Sequence, residues 1–452
     1  MPTILERYKQ TFAASAKRFE RAKTLFPTGV THDARMMDPF PVFIDRAKGS
    51  HKWDVQGNEL VDYFVGHGSH ILGHSAPDVV LAVQKQMERG THPGASHDLE
   101  VEWAELVKLL IPSAERVRFT GSGTEATMMC LRLARLASGQ PKFLKFHGHF
   151  HGWHDVVTIS ADPPYESNTV PGVPADIASY CVAIPPHDLN LVEQTLANDA
   201  SIGAVILEPT GGHWGAVPIR GEFLGGLRDI CNRLGRVLIF DEVITGFRVS
   251  SGGAQQHYGV LPDLTALAKI LAGGLPGGCV AGREDILNHI EPRPNRPKMK
   301  HPGTYNGNPL SASAGIATLK RIAAGGVCEV ANTTALSLRN QLNAMFAKHG
   351  FRWVAYGDFS MIRLLPNYDG PRPGSESTLD NGFVPLDGSP DALDGPKNMK
   401  QIMTLRQAMF LGGVDWWGLA GMTSCEHSDS DVSLTVKAME SAMLAMREEG
   451  VD

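Results

Sequence analysis

Lys269 and Asp241 are the two residues whose types and settings most directly imply chemistry. The run Val237-Leu238-Ile239-Phe240 ends in Asp241 and Glu242. It predicts a buried strand with a carboxylate at its carboxyl end, the rim where open α/β sheets hold their ligands. Lys269 closes the semi-apolar stretch Leu264–Ala268 and precedes Gly273-Gly274. A lysine deprived of water loses basicity and becomes a nucleophile or a Schiff-base partner. Such a lysine and an aspartate are the pair that pyridoxal phosphate (PLP) requires, one for its aldehyde and one for its pyridinium nitrogen. On these two residues alone, a surface lysine beside an unrelated aspartate is an equal reading.

Three further clusters narrow the choice. Thr120-Gly121-Ser122-Gly123-Thr124-Glu125 lies between a predicted strand and a predicted helix. Its glycines let backbone approach an anion, and the helix start supplies free N–H groups and a favourable dipole. The spacing is neither GxGxxG nor a Walker loop, so it suits one small phosphate rather than a dinucleotide or triphosphate. Residues 147–154 hold four histidines around Phe150. A metal site, ordinary hydrogen-bonded histidines, and Phe150 stacking on a flat ring with a histidine to orient it are all open. Glu208 and His213 follow the strand-like Ala204–Leu207. Four predicted strand ends, near 121, 150, 208 and 241, thus carry polar or glycine residues on one rim.

The elements that must position these residues follow from apolar periodicity. Phe119, Phe143–Phe146, Ala204–Leu207 and Val237–Phe240 lie in short buried runs. These alternate with helical periods such as Glu125–Leu136, which predicts an α/β sheet covered on both faces. A charged amphipathic helix opens the chain. Phe43-Ile44 and His51–Asp54 are expected to flank a turn at Asp45–Gly49, before a strand at Leu60–Val65. Helices are expected at Thr333–His349 and Asn398–Leu411, with a Gly/Pro/Asp/Ser-rich surface excursion or lid over Asn367–Lys397. The division expected is residues 1–75, an amino-terminal part of a small domain, then 76–325, a large domain, and 326–452, the rest of the small domain. With 452 residues, 42% hydrophobic and a net charge of −6, the composition suits a large folded core and disfavours generic nucleic-acid or anionic-membrane binding. Six scattered cysteines without a CxxC pair, and no signal-peptide core or apolar span, point to packed thiols and a cytoplasmic address.

Together the motifs resemble class III aminotransferases. The segments are 121–126 (GSGTEA), 149–152 (HFHG), 241–248 (DEVITGFR), 263–269 (DLTALAK) and 303–309 (GTYNGNP), and the likeness runs from about residue 25 to the end. It implies the α/β fold of fold-type I PLP enzymes, with a mostly parallel seven-stranded sheet in the large domain and a smaller α+β domain. The chain is most similar to the glutamate-1-semialdehyde aminomutase branch. Segments 29–35, 273–278 and 353–360 further resemble D-phenylglycine aminotransferases.

The resemblance implies a role for each matching residue. Lys269 holds PLP and shuttles the proton, and Asp241 keeps the pyridine nitrogen protonated. Phe150 and Val243 cover the two ring faces. Ser122, Gly123 and Thr124 bind the phosphate, with His151 and Glu208 also in the cofactor site. Thr304 reaches the neighbouring subunit's cofactor in a homodimer, and Arg35 and His213 meet the substrate. Two departures stand out. The ω-aminotransferase glutamate is replaced by His213, and Gln407–Met446 contains no arginine to pair with one. The region Trp416–Gly421 also lacks the aminomutase's pocket carboxylate, and that branch's gating loop is shortened near Pro163–Glu166. The expectation is therefore an aminotransferase moving the amino group of an aromatic or hydrophobic amino acid, such as D-phenylglycine, to a 2-oxo acid such as 2-oxoglutarate. An aminomutase, a racemase and a β-amino acid aminotransferase are the alternatives. No metal, nucleic acid or membrane partner is expected.

Overall fold

The computed structural model describes residues 2–167, 169–294, 298–373 and 383–451. Its centre is a seven-stranded sheet in the spatial order Arg116–Thr120, Gly278–Gly282, Leu264–Ala268, Val237–Asp241, Ile202–Leu207, Lys142–Phe146, Cys181–Ile184. All neighbours run parallel except Gly278–Gly282, which is antiparallel to both strands beside it. Strands buried on both faces need apolar residues at every position, which is why they read as continuous runs. Alternation then divides them between two cores. Val237 and Ile239 pack with Ala126, Met129 and Leu133 of the helix Gly123–Ser138. Leu238 and Phe240 face the other side, with Leu224 and Leu227 of Gly221–Leu234. The six strands that share one direction bring their carboxyl ends to one rim.

Two smaller sheets flank this layer. Ile44–Lys48, His51–Asp54 and Glu59–Asp62 pair antiparallel, and Val414–Asp415 adds in parallel to the last. Lys52 bridges the buried Asp62, at 2.8 Å, and Asp415, so one cation ties distant parts of the chain together. Trp353–Tyr356, Met361–Pro366 and Ala420–Met422 make the third sheet. The amphipathic start is two helices, Ile4–Thr11 with a Thr3/Glu6 capping box and Ala13–Lys23. The helix expected from Thr333 begins earlier, spanning Val327–His349.

Three differences from the sequence reading have physical causes. Asp45–Lys48 is strand rather than turn, because Lys48 pairs with His51 and only Gly49, at φ 57°, lies in the left-handed region that reverses the chain. Leu264–Ala268, fully buried, is a central strand. Much of the stretch read as a surface excursion is ordered: Pro385–Gly388 and Pro390–Asp394 are helical turns, while 374–382 lies outside the described residues. Among the described residues, no helix is long and apolar enough to cross a membrane. The six cysteines are unpaired, five of them buried.

Candidate active site

Lys269 follows its strand immediately and adopts φ 53°, a left-handed conformation costly for a residue with a Cβ. The turn swings the side chain out of the sheet at the shared rim. Among the described residues the Lys269 amine has no hydrogen bond or ion pair. Burial lowers its pKa below the ordinary lysine value, opposed by the carboxylates of Asp241 and Glu208. A partly dehydrated, unbonded amine is what nucleophilic attack on a carbonyl needs.

Asp241 ends the neighbouring strand. Its Oδ2 meets His151 Nδ1 at 2.8 Å, and Oδ1 accepts from the Val243 backbone N–H at 3.1 Å. Burial pushes this carboxyl up to about 7, while the Val243 bond and Lys269 oppose it. Burial also holds the His151 imidazole well below its usual range, so the ring is neutral. With Nδ1 donating to Asp241, His151 Nε2 is buried with no partner.

Glu208 anchors the surrounding loops. Oε1 accepts from the Phe150 and His213 N–H groups, both at 2.9 Å, and Oε2 from Trp214 N–H at 2.7 Å. His213 and Trp214 sit at φ 48° and 51°, a strained pair held in place by these bonds. Burial raises Glu208 to about 7. Phe150, half exposed, stacks beside His213 with ring centroids 6.4 Å apart. Glu208 thus positions both aromatic walls rather than presenting its carboxylate to a ligand.

The loop at Gly121–Thr124 builds an anion cradle. Ser122 caps the helix by accepting from Glu125 N–H, and Glu125 in turn accepts from Gly121 N–H at 2.7 Å. Gly123 and Thr124 begin the helix, so their N–H groups have no intrahelical acceptor. A Cβ on Gly123 would stand 3.0 Å from both Val243 methyls, tighter than an ordinary contact, so a side chain here would have to push Val243 aside. A Cβ on Gly278 would lie 2.3 Å from the Ser122 carbonyl oxygen, which leaves the antiparallel strand no side chain here.

The remaining expected residues are distributed differently. Arg35 is exposed, its Nη1 donating to Thr31 Oγ1 at 3.0 Å. Its charge, with that of Lys269, helps depress the His32 and His67 imidazoles, whose first cause is burial. Arg35 therefore lies within electrostatic reach of the site. Thr304 is exposed on the loop before Pro309–Ala323, and no hydrogen bond joins it to the Lys269 cluster. The histidine cluster does not converge as metal ligands. His149 Nδ1 accepts from Glu208 N–H, His151 serves Asp241, and among the described residues no group of three metal-ligating side chains occurs.

Sequence reasoning missed Asp394, whose Oδ2 meets His213 Nδ1 at 2.6 Å and accepts from Tyr165 OH at 3.3 Å. A carboxylate 181 positions from its partner leaves no periodic signal. Trp214 and Trp417, stacked at 5.2 Å, also wall the region.

These features fit PLP on independent grounds: an unbonded lysine amine, a carboxylate held by a neutral histidine, a glycine-lined anion cradle, and two hydrophobic walls. The chain belongs to the class-III aminotransferase family, whose model matches residues 32–355. PLP is its cofactor, and the fold is that of fold-type I PLP transferases. The chain is 46% identical over 326 residues to a glutamate-1-semialdehyde 2,1-aminomutase from Desulforamulus reducens, covering 71% of this chain and 75% of the relative. It is 41% identical over 440 residues to the enzyme of that name from Natranaerobius thermophilus, covering 96% and 98%. A solved transaminase with PLP bound superposes with a TM-score of 0.85 at 29% identity, covering 98% of this chain and 99% of the other.

These relatives overturn the expected D-phenylglycine-type donor, since matches up to 46% identical are consistently named for the aminomutase. Apart from Arg35, the three segments behind that expectation are largely scaffold. A Cβ on Gly29 would strike the Phe19 ring, and one on Gly273 the Ala314 carbonyl oxygen. Trp353–Tyr356 is a buried strand of the third sheet. Packing residues carry little information about a donor.

Proposed function

We propose that this protein is a PLP-dependent aminomutase of the glutamate-1-semialdehyde type, exchanging an amino group between adjacent carbons of one substrate. The observation that carries this reading is the likeness to aminomutases across nearly the whole chain, joined to an unbonded lysine amine beside a histidine-held aspartate. PLP, when bound, supplies an electron sink for negative charge developing next to the transferred nitrogen.

The chain's own residues do the rest. Lys269 Nζ, kept short of water, would hold the cofactor through its aldehyde and would carry the proton of the 1,3-shift between the substrate carbon bearing the nitrogen and the cofactor carbon on the other side of that nitrogen. Asp241, fixed by His151 and Val243 N–H, holds a proton on the pyridine nitrogen. An ionised Asp241 is favoured once that cation lies beside it, which reverses the upward pull of burial. Gly123 and Thr124 N–H groups, with Ser122 at the cap, receive the phosphate. Phe150 and Val243 enclose the ring, Glu208 sets the Phe150 wall, and Arg35 and His213 meet the substrate. Thr304 completes the neighbouring subunit's site in a homodimer.

The test is turnover of 4-amino-5-oxopentanoate by the purified holoenzyme with no oxo acid added. Formation of 5-amino-4-oxopentanoate over many turnovers is expected. A strict requirement for a separate oxo-acid acceptor, with one amino group released per cofactor in its absence, would exclude the aminomutase reading.

A further inference from the structure

Arg363 lies on the strand Met361–Pro366, opposite Ala420, outside every motif discussed above. Its guanidinium stacks on Trp214 with Cζ 3.7 Å from the ring centroid. Stacking uses the face of the planar group, whereas its N–H bonds point outward in the plane. That edge is unsatisfied. Nε and Nη2 are fully buried without a partner, and among the described residues Arg363 makes no hydrogen bond or ion pair. A buried guanidinium without partners costs free energy unless something fills its fork.

The adjacent acids do not fill it. Asp394 is engaged by His213 and Tyr165, and Glu208 accepts three backbone N–H groups. Both still act on Arg363 electrostatically, as does Tyr356, yet burial wins and lowers its pKa. Trp214 is the residue after His213, so this free fork borders the wall beside Phe150. Arg363 acts on His213 as well, which places the cation at the same end of the site. A positive, partly dehydrated corner with a vacant planar edge is complementary to a carboxylate.

We propose that Arg363 is a carboxylate-binding residue of the substrate site, gripping the acid group of the substrate from the Trp214 wall while Arg35 lies on the exposed side. It supplies a cation where Gln407–Met446 has no arginine. The proposal rests on an amino-acid substrate but not on whether the amino group moves within one molecule.

The experiment titrates the holoenzyme with sodium pentanoate, read by tryptophan fluorescence, because Arg363 rides on Trp214. Trp214→Phe identifies the reporting ring, and pentanamide is the uncharged control. Saturable binding of pentanoate and at least tenfold weaker binding of pentanamide are expected. Arg363→Met keeps the packing on Trp214 and removes the charge. It is expected to weaken pentanoate at least tenfold, raise KM far more than it lowers kcat, and leave the cofactor absorption band in place. Arg363→Lys, which keeps the charge but not the fork, should fall between, and it serves if the methionine variant does not fold. No saturable binding to the wild type, equal binding of pentanamide, or affinity within twofold in both variants would overturn the assignment. Because pentanoate has no amine, these outcomes are separate from the success or failure of the aminomutase reading.

Discussion

At the scale of single residues, the lysine amine is set apart by what it lacks. Lys145 is also buried on a strand, yet its Nζ donates to the carbonyls of Val157 and Ile159, at 2.9 and 2.8 Å, and is held as structure. Lys269 has no such bonds and a strained backbone that aims it into the rim. Replacing Lys269 with Ala should therefore remove chemistry while sparing the fold. Turnover is expected to fall by at least about 10²–10⁴-fold, the range associated with a positioned acid–base group. The phosphate loop remains, so PLP should still bind, but its absorption should be that of the free aldehyde rather than of the lysine-linked form. Measurable wild-type turnover in this variant would remove Lys269 from the mechanism. The residues legible from sequence were those that end apolar runs. Asp241 and Glu208 could be placed on the rim because each stands at the carboxyl end of an apolar run, Asp241 as the last residue of its strand and Glu208 just after its own. Arg363 was not legible, since one cation within the otherwise apolar Met361–Pro366 run reads as an outward-facing strand residue.

At the scale of elements, the sheet was legible and the contact that the 367–397 stretch makes with the site was not. Buried parallel strands announce themselves by composition, and the glycines of the phosphate loop by their turn. The stretch 367–397 announces only flexibility, because Gly, Pro, Asp and Ser suit many turns equally. Yet its helical turn Pro390–Asp394 is pinned to the site through Asp394 and His213. The pair carries a pH signature. Burial pulls the His213 imidazole down, but the Asp394 hydrogen bond and charge, with Glu208, raise it net above its ordinary value. Burial pushes Asp394 up, and the His213 bond and charge bring it net below the carboxylate range. A histidine raised on folding contributes stability that is fully present below its unfolded value and is lost as pH rises through its folded one. A depressed aspartate contributes stability present above its unfolded value and lost as pH falls through its folded one. The pair therefore holds the turn best between roughly pH 4 and 6.5. Cleavage of the apoenzyme within 383–397 by a protease of broad pH tolerance should be slower at pH 6 than at pH 8.5. A charged hydrogen bond worth about 1–2 kcal/mol predicts roughly a 5–30-fold difference. Asp394→Asn should abolish most of that difference and raise cleavage at pH 6. Equal pH dependence in wild type and variant would show that the turn is held by other contacts.

At the scale of the whole molecule, the proposed site draws on residues from Arg35 to Asp394, and one proposed contributor, Thr304, is exposed with no hydrogen bond to the Lys269 cluster. Thr304 and Tyr305 are exposed, Tyr305 by 65% of its surface, on a loop with no hydrogen bond to the chain's own Lys269 cluster. An isologous pair of chains would let each loop serve the other's site, since a two-fold axis makes every such contact reciprocal. Complementation distinguishes this from an uninvolved loop. Lys269→Ala chains have no catalytic amine, and Thr304→Ala chains lack the hydroxyl offered to a neighbour. In a mixed dimer under the shared-site arrangement, one site receives Lys269 from the second chain and Thr304 from the first, and is wild type. The other site is doubly defective. Random pairing of equal amounts makes about half the dimers mixed, so about a quarter of all sites should be fully active. Co-expressed, differently tagged chains isolated as mixed dimers should turn over substrate at about half the wild-type rate per dimer. If Thr304 acted within its own chain, the same mixed dimer would contain no intact site, and its rate would be half that of the Thr304→Ala enzyme. A sedimenting mass equal to one 48.9 kDa chain, with full activity, would dispose of the shared site altogether.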